Sequence, residues 1–167
     1  MNVLFLCTGN SARSIIAEAL GNDPAITRGR FRAFSAGSHP KGAVDSLAVE
    51  TLTQHGVATA GMRSKSWDEF SGPDAPQIDV VITVCDQAAA EACPIWSGQP
   101  VTGHWSIPDP AALTSPAERR RAFEDAFLML KGRIKRFADL PLENLSSTAL
   151  QQHLDAIGRI QGRVPGG

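Results

Sequence analysis

The sequence predicts an α/β fold: a parallel sheet covered on both faces by helices, in the doubly wound class. Three observations carry that prediction. Short apolar runs alternate with segments of helical spacing along the chain, the order that builds parallel sheets. The loop after the first run, CTGNSARS, holds a Gly-Asn turn signal and passes straight into a helical pattern. A length of 167 residues suits one domain with a core of its own.

The elements follow in order. Residues 2–7, NVLFLC, are apolar without a break, as expected of a strand buried on both faces. Residues 14–20 place Ile15, Ile16, Ala19 and Leu20 on helical spacing, with Gly21 as terminator. A second strand is expected over 31–36, stopped by Gly37. A second helix is expected over 45–55, with Asp45 as N-cap and Gly56 just past its end. DVVITVC, residues 79–85, is the clearest strand, and 101–105 a weaker fourth. A Pro-rich turn, IPDP, leads into a long helix over 116–137, where Ser115 and Glu118 have capping-box spacing. The tail from Leu140 is expected to form an amphipathic helix over 147–160 and to fray at GRVPGG.

Composition narrows the function. Sixteen basic residues against 17 acidic ones, a net charge of -1, make no electrostatic case for nucleic acid or an anionic membrane as partner. No basic segment precedes the first apolar run, which is too short for a leader or a membrane span, so the cytoplasm is the expected location. In that reducing compartment three cysteines point to catalysis, metal binding or burial rather than to a disulfide framework.

In an open parallel sheet ligands bind beyond the carboxyl ends of the strands, where CTGNSARS lies. A Gly-containing loop that enters a helix turns its N–H groups inward, so Thr8, Gly9, Asn10, Ser11, Ala12, Arg13 and Ser14 are expected to form a nest for an oxyanion. The same field is expected to lower the pKa of Cys7 and make it a nucleophile. Arg13 offers a planar fork to two oxygens, Ser14 a hydroxyl to the thiolate, and Asn10 a side chain to hold the loop. Asp109, in the IPDP turn, is placed to give a proton to a departing oxygen, although Asp is also frequent in turns for its own hydrogen bonds. Cys85 and Cys93 read equally well as small buried residues and as redox thiols.

The pattern C-x-G-N-x-x-R-S is followed in order by FSAG at 34–37, VVITVC ending at Cys85, HW at His104 and Trp105, and DP at Asp109 and Pro110. Together these resemble the low-molecular-weight protein tyrosine phosphatase family, and CTGNSARS looks like the version found in arsenate reductases on that fold. The resemblance covers about residues 1–137. It implies a three-layer fold around a four-stranded parallel sheet, a catalytic domain over 1–139 and a C-terminal extension over 140–167. It also implies that Cys7 is the nucleophile, Arg13 the anion clamp and Asp109 the general acid. Phosphatases of the family carry aromatic rings after the DP pair, but here Ala111, Ala112 and Leu113 follow, and the chain has no tyrosine. The reductase resemblance implies a relay in which Cys7 forms an adduct with arsenate, Cys85 attacks Cys7, and Cys93 passes the disulfide to thioredoxin or another thiol reductant. DQAAAEA between Cys85 and Cys93 is one residue longer than in the better-known thioredoxin-linked members, which leaves the reductant open. If that segment is helical, Cys93 lies roughly 12 Å along the axis from Cys85. That exceeds the Cα separation of about 4.4–6.8 Å which a disulfide tolerates, so forming the bond requires unwinding. Asn10, Glu18 and Ser35 match positions that hold a potassium ion in some related reductases; no tightly bound cofactor is otherwise implied. A phosphatase of phosphomonoesters, and a non-catalytic oxyanion-binding or redox-sensing protein, stay open as alternatives.

Overall fold

A computed structural model describes residues 1–91, 96 and 98–160. The four apolar runs become strands β1 (Asn2–Leu6), β2 (Arg32–Ala36), β3 (Val80–Thr83) and β4 (Val101–His104). They pair in parallel in the order β2-β1-β3-β4. The helices are α1 (Arg13–Gly21), a single turn α2 (Pro24–Thr27), α3 (Ser46–Gln54), a short α4 (Asp86–Ala90), α5 (Pro116–Ala138) and α6 (Ser147–Gly158). Because β1 pairs with β2 on one side and β3 on the other, the strand order reverses between β1 and β3. A crevice opens at such a switch point, between the loops that leave the two strands. Cys7 and Cys85 lie on those two loops.

Alternation along the strands divides the sheet's two faces. Val3, Phe5, Ala33, Val80 and Ile82 belong to one large core with the buried residues of α1, α3, α5 and α6. Leu4, Leu6, Ala36 and Val81 belong to a smaller one with Phe70, Ile78 and Trp96. The smaller face is closed by the 3₁₀ turn Trp67–Phe70 and its aromatic neighbours, so the third layer is thin. α5 buries Phe123, Phe127, Leu130, Ile134 and Phe137 along one stripe, each apolar side chain contributing about 2 kcal/mol. Trp105 follows β4 and donates its indole N–H to the Leu154 carbonyl at 3.1 Å, tying α6 to the sheet edge. Among the described residues no helix is long and apolar enough to cross a membrane.

Two local expectations need correction. Ser115 is the N-cap of α5, but its side chain makes no capping bond, so the box with Glu118 does not form. Pro116 at the first helical position lacks the N–H and already has a helical φ, which reduces the need for a cap. The helix expected through DQAAAEA ends at Ala90, and Glu91 is extended (φ -80°, ψ 150°). Its carboxylate is held by Thr8 and His39 instead of facing outward along a helix. Cys93 lies outside the described residues, and the 12 Å spacing loses its continuous helix.

Candidate active site

The loop between β1 and α1 is held in place by its neighbours rather than by itself. Asn10 adopts φ 43°, a left-handed conformation that Asn tolerates better than most residues. Its amide donates to Ser14 Oγ at 2.7 Å, and its Oδ1 accepts from the Lys65 backbone N–H at 2.9 Å. Ser14 therefore bonds Asn10, and a bond from its hydroxyl to Cys7 is absent among the described contacts. Gly37, at the end of β2, is needed for close approach: a Cβ there would lie 2.5 Å from the Thr8 carbonyl oxygen and 2.8 Å from that of Cys7. Ala12 is the N-cap of α1 and offers no side chain to the first-turn N–H groups. Alanine at this position costs about 1 kcal/mol against Ser or Asp. In return, the N–H groups of Asn10, Ser11, Ala12, Arg13 and Ser14 have no acceptor among the described residues. Open donors at a helix N-terminus form an anion site.

Cys7 and loop residues 8–13 line a cleft of about 200 Å³, and Ser14, expected in the nest, lies outside its lining. Arg13, 16% exposed, is braced by an Nη1–H bond to the Ile107 carbonyl at 2.9 Å, and its Nη2 lies 3.9 Å from Asp109 Oδ2. Asp109 fills the turn role foreseen for it and borders the cleft. Oδ1 caps the Pro110–Ala112 turn by accepting from Ala111 N–H at 3.0 Å, while Oδ2 faces Arg13 across the cleft. The sequence reading missed three further lining residues, His39, Lys41 and Gln87. Two backbone bonds bring the first two there: His39 N–H to the Thr8 carbonyl at 2.9 Å and Lys41 N–H to the Gly9 carbonyl at 3.0 Å. The Lys41 stem lies against Gly9, where even a Cβ would sit 3.2 Å from Lys41 Cε. The glycine of the loop thus leaves room for a second cation beside Arg13.

Cys7 and Cys85 are both buried and free, and each thiol is the largest influence on the other's titration. Cys7, expected to be made more acidic by the loop, is instead pushed up. Cys85 is the N-cap of α4, and its sulfur accepts from Ala88 N–H and Thr8 N–H, each at 3.4 Å. The bond from Cys7 and these backbone donors bring its pKa down to about 5. The bond to Cys85 and burial push Cys7 up, against the pull of Arg13. The two shifts run in opposite directions, up for Cys7 and down for Cys85.

The potassium ion implied by resemblance does not fit. Lys65, 7% exposed, puts its ammonium 3.3 Å from Glu18 Oε1, 3.3 Å from Ser35 Oγ and 3.2 Å from the Arg63 carbonyl oxygen. Asn10 Oδ1 is turned to the Lys65 backbone. The oxygens expected to surround a metal ion already surround a protein cation. Among the described residues no three His, Cys, Asp or Glu side chains converge as a metal site would require.

A family model described as low molecular weight phosphotyrosine protein phosphatase matches residues 2–153. The arsenate reductase of Bacillus licheniformis is 33% identical over 144 residues, spanning 82% of this chain and 94% of the relative. That of Shouchella clausii is 30% identical over 138 residues, with the same coverage. The crystal structure of an arsenate reductase from Archaeoglobus fulgidus is 28% identical, with a TM-score of 0.62 over 83% of this chain and 99% of that one. A strand-loop-helix anion site, a switch-point crevice and a family match over nearly the whole described chain agree: this chain belongs to the low molecular weight phosphotyrosine protein phosphatase family, beside relatives named arsenate reductase.

Proposed function

We propose that the chain reduces arsenate to arsenite, using Cys7 and Cys85 as the two-electron donor. The observation that carries this reading is a pair of buried free thiols on facing loops, Cys85 Sγ accepting at 3.4 Å from the N–H of Thr8, the residue after Cys7, next to an anion loop whose N–H groups are open. Hydrolysis of a phosphate ester needs one thiol; reduction needs two that can join. Arsenate enters the loop, its oxygens taken by the open N–H groups and the Arg13 fork. Cys7 Sγ bonds to arsenic, an As–O bond breaks, and the thiol proton of Cys7 leaves with that oxygen as water, Asp109 relaying it. The Cys85 thiolate then attacks Cys7 Sγ. An S–S bond forms, the S–As bond breaks, and its electron pair stays on arsenic, which leaves as arsenite and takes protons from water. Cys93 attacks Cys85 to free Cys7, and thioredoxin or another thiol reductant reduces the Cys85–Cys93 disulfide. A reducing cytoplasm suits the dithiol resting state.

The test is arsenate-dependent NADPH oxidation with thioredoxin and its reductase, beside hydrolysis of an aryl phosphate. Arsenate turnover with little aryl phosphatase activity is expected, because the Pro110–Ala112 turn presents no ring to a phenyl group. Strong aryl phosphatase activity without arsenate reduction would overturn the proposal. Inactivity in both, with tight sulfate binding, would make the protein an oxyanion-binding module.

A further inference from the structure

Lys65 belongs to no element that the active-site motif defines, yet it touches each part that shapes the anion loop. Its ammonium pairs with Glu18 on α1 and bonds Ser35 on β2. Its backbone N–H donates to Asn10 Oδ1, and its carbonyl accepts from Gly37 N–H at 2.9 Å. One side chain and its own peptide groups thus join α1, β2 and the loop from behind the cleft. The surroundings also account for its charge. Glu18 is the acidic partner, Ser35 Oγ donates to Glu18 Oε1 at 3.1 Å, and the Arg63 carbonyl completes three oxygens around the nitrogen. A largely desolvated carboxylate favours one counter-charge, and a second cation on the same oxygens would be repelled at close range.

We propose that Lys65 is the built-in cation of this cluster, a positioning residue that ties Asn10 and α1 together in anion-binding geometry without a potassium ion. The inference rests on the arsenate-site reading only where activity is measured; its binding arm uses inorganic phosphate and does not depend on reduction. Potassium binding to the folded state would raise its melting temperature by mass action.

The wild-type protein is compared in KCl, NaCl and choline chloride at equal ionic strength, by melting temperature, phosphate Kd from calorimetry, and kcat and KM for arsenate. All are expected to agree across the salts to within about twofold in the constants. Selective improvement in KCl would overturn the proposal and restore the metal ion. Lys65→Met keeps the length of the side chain and leaves Glu18 unpaired. It is expected to weaken phosphate binding about tenfold and raise the KM for arsenate more than it lowers kcat, with partial recovery in Lys65→Arg. Unchanged phosphate Kd and KM in folded Lys65→Met would remove Lys65 from any positioning role. If Lys65→Met does not fold, the wild-type salt series and Lys65→Arg still decide the matter. Failure of arsenate reduction alongside salt-indifferent phosphate binding would defeat the reductase reading and leave this one standing.

Discussion

Cys7 and Cys85 start from matching positions and end in opposite states. Each follows a parallel strand, each is buried, and each leads toward a helix N-terminus across the same crevice. They differ in where the backbone donors point. The loop after β1 turns its N–H groups into the cleft and leaves them open for an anion. After β3, Ala88 N–H points back at the Cys85 sulfur, and Thr8 N–H joins it from the neighbouring loop. One helix start is kept for the substrate, while the other is used on the thiol itself. Burial raises both thiols, and Cys85, with more donors on its own sulfur, is the one brought down.

The comparison breaks most completely if the cleft thiol is removed. Cys7→Ser is expected to lower arsenate turnover by at least about 1,000-fold while circular dichroism and melting stay near wild type, since a hydroxyl is a far poorer nucleophile than sulfur and cannot join Cys85 in a disulfide. Retention of a tenth of the activity would show that another thiol starts the reaction. Cys85→Ser removes the other half. It should release no arsenite beyond background and should accumulate an arsenic adduct on Cys7, visible by intact-mass spectrometry. Arsenite release by this variant would take Cys85 out of the reaction.

A titration sharpens the same contrast. Thiolate absorbance near 240 nm should rise with a midpoint near pH 5 in wild type and lose that step in Cys85→Ser. Stability follows from the same shifts. Cys85 is ionised in the folded state above about pH 5 but protonated in the unfolded chain up to its ordinary 9.0. The unfolded state thus binds more protons between these values, and stability rises with pH across that window. Cys7 is raised, so it keeps its proton when the unfolded chain loses it, and stability falls again above about 9. Urea unfolding of wild type and Cys85→Ser from pH 4 to 10 checks the sign; an unchanged slope between 5 and 9 in the variant would refute the assignment.

The smallest expected effect lies at the rim. Lys41→Met removes the second cation without touching the loop's donors, so KM for arsenate and Ki for phosphate should rise about three- to tenfold with kcat unchanged. The effect should shrink in high salt. A change confined to kcat would place Lys41 in the chemistry instead.

The four strands, α1, α3, α5, α6 and the anion loop were legible in the sequence, because their signals are local. Unbroken apolar runs, helical spacing and Gly-Asn turn chemistry act within a few residues and need no distant partner. The loop motif likewise carried Cys7, Arg13 and Asn10 on one short stretch. What the sequence left open depends on contacts across the chain. Thr8 N–H reaches Cys85 over a separation of 77 residues, and that contact, with the turn of α4, helps pull the Cys85 pKa down. Lys65 meets Glu18 over 47 residues, and nothing in SKSW marks that lysine as buried. Lys41 in HPKG reads as a solvated cation until its backbone bond to Gly9 sets it over the loop. Electrostatic roles of this kind come from the burial and orientation of groups that the fold alone brings together, because Coulomb and hydrogen-bond energies depend on distance and solvent exclusion rather than on neighbours in sequence.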